Sequence, residues 1–256
     1  MTATLEIRGL SKEFQRKRGN VLAFTDIDLQ VQSGEFVCIV GASGCGKSTL
    51  LNIVAGLDYA TSGEATLGGF PIQGPGPDRG IVFQSYSLFP WRTVAENVGF
   101  GLELAGVPGP LARQRVAEYL QVMRLEKWAN ARPGELSGGM RQRVAIARSL
   151  ATQPELLLLD EPFGALDAHT RGQMQEFLLS VWRETGTTIL MVTHDVEEAL
   201  YLAQRIYVFS SHPGRVRKEI RVPFGEERSH SVRRDERFLD LRDEVHDLLL
   251  ADAVEV

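Results

Sequence analysis

This sequence of 256 residues lacks long apolar runs, an excess of basic residues and a set of cysteines. No stretch approaches the ~18–20 apolar residues that a membrane-spanning helix needs, so we expect the chain itself not to cross a membrane. Its 28 Lys and Arg stand against 33 Asp and Glu, a balance that does not favour a nucleic-acid partner. The two cysteines, Cys38 and Cys45, are too few for a disulfide framework and predict free thiols.

Strand-like and helix-like segments alternate along the chain, which predicts a parallel α/β sheet. Short apolar segments predict buried strands at FVCIV (36–40), GIVFQ (80–84), ELLLLD (155–160), TTILMVTH (187–194) and RIYVFS (205–210). LEIRGL and VLAFTDIDLQV, near the start, predict further β-structure. Helical apolar spacing from about residue 92 predicts a mainly helical lobe, and RFLDLRDEVHDLLL predicts an amphipathic helix near the end.

GASGCGKST, between a predicted strand and a predicted helix, matches the phosphate-loop pattern G-x-x-x-x-G-K-[ST] at Gly41, Gly46, Lys47 and Ser48. Glycines allow the backbone to wrap phosphate oxygens, and successive N–H groups form an anion site. Lys47 would neutralise β- and γ-phosphate charge, and the Ser48 hydroxyl would bind Mg²⁺. The alternative is a glycine-rich turn without a ligand.

Polar side chains follow three of the predicted strands. Asp160 and Glu161 end LLLLDE, where a carboxylate could hold Mg²⁺ and its neighbour could orient an attacking water. His194 and Gln84 also stand at strand ends, where an imidazole could bond a γ-phosphate oxygen and an amide could contact Mg²⁺ or water. Taken alone, the pair could be a solvated acidic turn, and His194 and Gln84 could be ordinary strand termini.

LSGGMRQR, residues 136–143, is a second candidate for phosphate binding, because a Ser and two Gly precede a predicted helix. The alternative is a helix N-cap by Ser137, and the same N–H groups can serve both purposes.

The order of these motifs, with GALD after LLLLDEP, resembles the nucleotide-binding subunit of an ABC transporter over about residues 4–220. The resemblance implies an α/β fold: a P-loop ABC-type ATPase core, with a RecA-like mostly parallel sheet and an antiparallel β-subdomain, plus an inserted helical subdomain. We expect one domain over 1–256, with the core at 1–87 and 155–225, the helical subdomain at 88–154 and a helical tail at 226–256.

The resemblance also implies roles for single residues. Glu161 would be the catalytic glutamate, and His194, Gln84 and Lys47 would also take part in catalysis. Ser48, Gln84 and Asp160 would bind Mg²⁺. ATP would be bound by the aromatic Phe14 near the start and by three motifs. The Walker A loop would contribute Gly41, Ala42, Ser43, Gly44, Cys45, Gly46, Lys47, Ser48 and Thr49. The signature motif would contribute Ser137, Gly138, Gly139 and Met140, and the D-loop would contribute Asp167. The family usually has Gln at the position of Met140, so a contact through a Gln amide is in doubt.

Members of this family pair head to tail, so we expect a second copy, or a close paralogue, whose signature faces the Walker A loop across ATP. In importers of this family, the region that matches SYSLFPWRTVAENV helps form a groove for a short coupling helix of the membrane subunit, so we expect two transmembrane permease subunits as partners and Trp91 as an anchor of the groove; the alternative is local core packing. The combination of PDRGIVFQSYSLFPWRTVAENV with HDVEEALYLAQRIYVFSSHPGRV is similar to the nitrate, sulfonate and taurine branch of bacterial importers. These use a periplasmic substrate-binding protein, and their ATPase lies on the cytoplasmic face of the bacterial inner membrane. The competing hypotheses are a soluble ABC ATPase that works on ribosomes, DNA or Fe–S assembly, and a P-loop kinase or simple binding module.

Overall fold

A computed structural model of the chain describes residues 4–15 and 19–251. The backbone divides into two units, one with the described residues up to Gly76 and from Trp182 onward, and one over Pro77–Val181. In chain order the elements are β1 (Leu5–Phe14), β2 (Val21–Val31), β3 (Phe36–Val40), α1 (Lys47–Val54), β4 (Ser62–Leu67), β5 (Phe70–Pro71), β6 (Arg79–Val82), α2 (Val94–Leu104), α3 (Gly109–Val122), α4 (Gly138–Leu150), β7 (Leu156–Asp160), α5 (Ala168–Thr185), β8 (Thr188–Thr193), α6 (Val196–Leu202), β9 (Arg205–Phe209), β10 (Val216–Arg221) and α7 (Glu236–Ala251).

The first unit contains an antiparallel sheet in the order β2-β1-β4-β5. Strand β1 is central, and its Leu5 faces Val31 of β2 on one side and Leu67 of β4 on the other. Leu5 and Ile7 are buried while the residues between and after them are more exposed, as expected for a strand with one face on the core.

Strand β3 of the same unit lies between β8 and β9 and is parallel to both, and β10 pairs with β9 antiparallel. All five residues of β3 and all six of β8 are buried, as expected for parallel strands covered on both faces. Their register pairs Val40 with Thr193, so the segments that follow β3 and β8 leave the sheet at the same edge.

The second unit contains the parallel pair β6–β7 and helices α2, α3 and α4. Thr93 and Glu96 form a capping box at the start of α2, where the Thr93 hydroxyl accepts from the Glu96 amide and the Glu96 carboxylate accepts from the Thr93 amide. Helix α4 packs against α2 and β6 through a face that buries Val144, Ile146 and Ala147.

The predicted strands and helices are present, and the fold class expected from the resemblance is confirmed by the parallel strands, the antiparallel sheet and the helices. Strands β4, β5 and β10 were not predicted, because SGEATL and VRKEIR are too polar to show as apolar runs. The strand predicted at 80–84 covers Arg79–Val82, so Gln84 stands two residues beyond its end. The predicted division into core, helical subdomain and tail stays a prediction, and residues 252–256 of that tail lie outside the described residues.

Helix α7 confirms the amphipathic helix predicted near the end, with Phe238 and Val245 buried. Both cysteines are buried free thiols, as predicted. Across residues 4–15 and 19–251, no helix is long and apolar enough to span a bilayer.

Candidate functional site

The loop Gly41–Thr49 joins β3 to α1, and its glycines are required by close packing. A Cβ at Gly41 would stand 2.8 Å from the Cys45 Sγ, and one at Gly46 would stand 2.9 Å from a ring carbon of Phe24. Gly46 also has φ 95° at the start of α1, a conformation that glycine adopts without strain. Ala42, Ser43 and Gly44 are exposed, so the loop offers its backbone to a ligand at a helix N-terminus.

Lys47 is buried under this loop, with only 4% of its surface exposed. Its Nζ donates hydrogen bonds to the carbonyl oxygens of Gly41 (2.8 Å) and Ala42 (2.9 Å), which aims the ammonium at the inside of the loop. Burial raises the pKa of the neighbouring Cys45 thiol more than the Lys47 charge lowers it, so Cys45 is held as a neutral thiol. Ser48 and Thr49 follow in the first turn of α1, where Ser48 is exposed.

His194 follows β8 directly and is exposed. Because Val40 pairs with Thr193, Gly41 and His194 each come one residue after paired positions of neighbouring parallel strands. The structure therefore places the predicted phosphate loop and the predicted histidine at one edge of the sheet. Asp195, the next residue, caps α6 by accepting from the Glu198 amide at 3.0 Å, which sets where the strand ends.

Phe14 is the last residue of β1 and is half-buried. It belongs to the same unit as the phosphate loop, and the ammonium of Lys12 lies 4.9 Å from the centroid of its ring. The face of an aromatic ring that is only half-buried can stack on a nucleotide base.

In the second unit, Gln84 and Glu161 each stand two residues after paired positions, because Val82 of β6 faces Leu159 of β7. A Cβ at Gly164 would be 3.5 Å from the Gln84 Nε2 and 4.0 Å from the Glu161 Oε2. The two predicted side chains therefore both lie next to Gly164. Asp160, the last residue of β7, is half-buried beside four buried leucines.

Glu161 has φ 43°, a left-handed conformation that is uncommon for a residue with a side chain. Such a conformation costs on the order of 1 kcal/mol or more and is frequent at functional sites, where the surrounding structure enforces it. With this conformation the chain turns just after the end of β7. The sequence does not show that the predicted catalytic glutamate has a left-handed backbone.

Helix α4 begins at the predicted signature motif, and Ser137 is its N-cap, with Oγ accepting from the Met140 amide at 3.3 Å. The predicted cap is confirmed. Both glycines allow close approach: a Cβ at Gly139 would be 3.0 Å from the Thr170 Cγ2, and one at Gly138 would be 3.2 Å from the Leu166 Cδ2. Nothing in the structure explains why Met140 stands here.

Asp167 acts as the cap at the start of α5. Its Oδ1 accepts from the backbone amides of Thr170 (3.0 Å) and His169 (3.1 Å), and these bonds, first that from Thr170, hold the pKa of Asp167 below its ordinary value. Its predicted contact with nucleotide stays a prediction.

Arg148 is a residue of interest that the sequence analysis missed. From α4, its Nη1 donates to the Ser87 carbonyl (2.7 Å) and its Nη2 to the Tyr86 carbonyl (3.0 Å), in the loop that follows Gln84. Tyr86 and Ser87 both have positive φ, at 60° and 46°. No local signal in the sequence points to Arg148, because its partners lie 61 and 62 positions earlier and carry no motif.

The same loop is held from α2 by Asn97, which is fully buried. Its Oδ1 accepts from the Phe89 amide at 2.9 Å, and its Nδ2 donates to the carbonyls of Phe89, Arg92 and Thr93. Trp91 is 69% exposed, so packing inside the fold does not explain this residue, although its ring lies 5.7 Å from that of Phe89. The predicted permease groove stays a prediction.

Comparisons with known proteins agree with this geometry. A protein-family model described as "ABC transporter" matches residues 24–164. The chain is 51% identical to the nitrate import ATP-binding protein NrtD of Synechocystis over 96% of this chain and 94% of that protein. It is 46% identical to the taurine import ATP-binding protein TauB of Yersinia pestis over 94% of this chain and 95% of that protein.

Two solved structures of the ATP-binding cassette MJ0796 are also similar. One is described as a dimeric structure, and the other as a dimeric post-hydrolysis state bound to ADP and Pi. Their TM-scores are 0.75 and 0.74, their identities 35% and 34%, and each match covers 86% of this chain and 100% of that chain.

Proposed function

This chain belongs to the ABC transporter family, and on that basis we propose that it binds and hydrolyses ATP to power an importer for small oxyanions or organic acids, of the nitrate, sulfonate or taurine type. The observation that carries the proposal is the phosphate loop, whose glycines at 41 and 46 leave no room for a side chain and whose Lys47 points inward. The relatives described above are import subunits, which favours this function over Fe–S assembly.

ATP binds, in this proposal, with its phosphates on the loop and its base on Phe14. The loop N–H groups and the Lys47 ammonium neutralise phosphate charge, at a helix N-terminus that favours anions. Lys47 already donates to two loop carbonyls, so binding redirects its hydrogen bonds toward phosphate oxygens without moving it out of the loop.

The side chains named for magnesium are, one by one, of a kind that suits this ion. Ser48 offers an exposed hydroxyl, Asp160 a half-buried carboxylate and Gln84 an exposed amide oxygen, all of them hard oxygen donors. The described residues hold no group of three or more His, Cys, Asp or Glu that could bind a metal alone, so phosphate oxygens would complete the ligand set. When bound, Mg²⁺ supplies charge neutralisation at the β- and γ-phosphates.

Each of the remaining side chains has one role in hydrolysis. The Glu161 carboxylate orients the attacking water and accepts its hydrogen bond, while the His194 imidazole bonds a γ-phosphate oxygen. Water attacks the γ-phosphorus in line with the bond to ADP, which breaks to leave ADP and phosphate. Gln84, beside Glu161 at Gly164, contacts the same water or the metal.

We further propose that two copies, or this chain and a close paralogue, form a dimer, which the dimeric cassette structures support, and that they pair head to tail. Ser137 and the N–H groups of Gly138 and Gly139 would then contact the γ-phosphate of ATP held by the partner's loop. ATP closes this dimer, and loss of the γ-phosphate reopens it.

The exposed Trp91 and its loop would carry this motion to two permease subunits, and we propose that the chain works at the cytoplasmic face of the bacterial inner membrane. A periplasmic binding protein would select the cargo, because the ATPase does not touch it. Co-purification with a polytopic membrane protein tests this assignment.

Phosphate release from ATP and Mg²⁺, without an acceptor, tests the enzymatic function and separates it from a kinase. Glu161→Gln keeps the shape of the side chain and removes its charge, so turnover should fall by about 10²-fold or more while ATP still binds and closes the dimer. Glu155→Gln is the matched control, since Glu155 is an exposed glutamate just before β7, and it should change turnover by no more than about twofold. Normal turnover in Glu161→Gln would refute the assigned role.

A further inference from the structure

Lys12 is a nearly buried cation that no step above uses. It lies two residues before Phe14 on β1, so both side chains are on the same face of the strand. Only 11% of the Lys12 side chain is exposed, and its ammonium lies 4.9 Å from the centroid of the Phe14 ring, within cation–π distance. A lysine held this far from water needs a structural reason.

Two acceptors from the segment after α1 hold the ammonium in place. Lys12 Nζ donates to the Asp58 Oδ1 and to the Tyr59 carbonyl, both at 2.6 Å. Burial raises the pKa of Asp58, but the bonds from Lys12 and the Tyr59 amide and the Lys12 charge outweigh it, so the pKa lies below its ordinary value. The carboxylate is therefore charged at neutral pH, and the pair is an ion pair.

Asp58 is in turn attached to the helix of the phosphate loop. The backbone amides of Leu57 and Asp58 donate to the Asn52 carbonyl in α1, at 2.8 Å and 3.3 Å. Helix α1 begins at Lys47. Lys12 thus joins the strand that carries Phe14 to the helix that carries the phosphate loop, all within the first unit.

We propose that Lys12 is a positioning residue for the nucleotide base, which holds the Phe14 ring at a set place relative to the phosphate loop. A ring with one fixed position loses less freedom when a base stacks on it, so the base binds more tightly. The inference rests on the proposed function, because it requires Phe14 to stack on the base.

The test compares ADP with pyrophosphate by calorimetry, because pyrophosphate binds the loop but has no base to stack. Lys12→Met should weaken ADP binding by about three- to tenfold, the range of a partly buried cation–π contact, and leave pyrophosphate binding unchanged. Lys12→Arg keeps the cation and should retain most of the ADP affinity. Lys218→Met is the matched control, since Lys218 is an exposed lysine of the same unit that pairs with Glu244 on the surface.

Combining the variants shows whether Lys12 acts through Phe14. In a Phe14→Ala background, Lys12→Met should have no further effect on ADP affinity, since the ring it positions is gone. An equal loss in both backgrounds, or an equal loss for pyrophosphate, would overturn the proposal. If Phe14→Ala alone leaves ADP affinity unchanged, Phe14 does not hold the base and the Lys12 role falls with it. If ADP does not bind the unaltered protein, the proposed function itself fails.

Discussion

Replacing Arg148 by Met removes the guanidinium that joins α4 to the loop after Gln84. The guanidinium makes two charge-assisted hydrogen bonds, to the Ser87 carbonyl at 2.7 Å and the Tyr86 carbonyl at 3.0 Å. Burial lowers the pKa of Arg148, which shows that this cation stands in a poorly hydrated place. Met keeps a side chain of similar length but removes both hydrogen bonds and the cation–π contact with the Phe89 ring, whose centroid lies 5.5 Å from the guanidinium carbon.

The two bonds set the size of the effect. A hydrogen bond to a charged group contributes about 1.5–3 kcal/mol to stability. Because Ser87 is exposed, its carbonyl can bond water when the guanidinium is removed, which restores part of that free energy. Together the two bonds amount to about 3–6 kcal/mol, of which water recovers roughly half once the guanidinium is gone. The strain of Tyr86 and Ser87 at positive φ is the same with and without Arg148 and adds nothing to the difference. We therefore expect the opening free energy of this loop to fall by about 2–3 kcal/mol in Arg148→Met.

Hydrogen exchange followed by mass spectrometry measures this quantity directly. Peptides over residues 85–92 should exchange about 30- to 150-fold faster in Arg148→Met, as 2–3 kcal/mol implies. Arg143→Met is the matched control, because Arg143 is on the same helix but contacts the Phe177 ring and the Met174 sulfur instead. Exchange in Arg148→Met within about threefold of the parent protein would refute the reasoning.

Two further substitutions test the exposed aromatic residue and the signature glycine. Trp91→Ala should release the permease subunits in a co-purification while isolated ATPase activity persists. Trp128→Ala, at another exposed tryptophan, is the control and should leave the permease subunits bound. A Trp91→Ala complex that assembles and transports normally contradicts the predicted groove. Gly139→Ala puts a Cβ 3.0 Å from the Thr170 Cγ2, and the overpacking of about 1–3 kcal/mol exceeds the roughly 1 kcal/mol by which Ala favours a helix over Gly, so the melting temperature should fall by a few degrees. Gly134→Ala, with no atom within 4 Å, is its control, and equal melting of the two variants contradicts the packing argument.

The strands that carry the site were predictable because their signal is local. FVCIV and LLLLD are continuous apolar runs, and a run of that length needs no partner to be recognised as a buried strand. The phosphate loop is equally local, since its glycines, lysine and serine fall within nine neighbouring residues. Strand β10 was not predicted, because VRKEIR forms a strand by pairing with β9. The composition of VRKEIR does not reveal this pairing.

Residues that hold the site in place were harder to predict than residues that could act in it. Lys12 meets Asp58 46 positions later, and Arg148 meets Ser87 61 positions earlier. Neither partner carries a motif, so both lysine and arginine look like ordinary surface charges in the sequence. Their roles depend on burial, which is a property of the packed chain.

By itself, the sequence determined the reactive groups of this protein, because a phosphate loop, a strand-end acid pair and a helix-start Ser-Gly-Gly are each written in a few adjacent residues. The tertiary structure alone decided which groups meet: Gly41 with His194 through the register of β3 and β8, and Gln84 with Glu161 around Gly164. It also decided the left-handed backbone of Glu161. The physical reason is that strand pairing and close packing join residues far apart in the chain, while local composition records only what each residue can do.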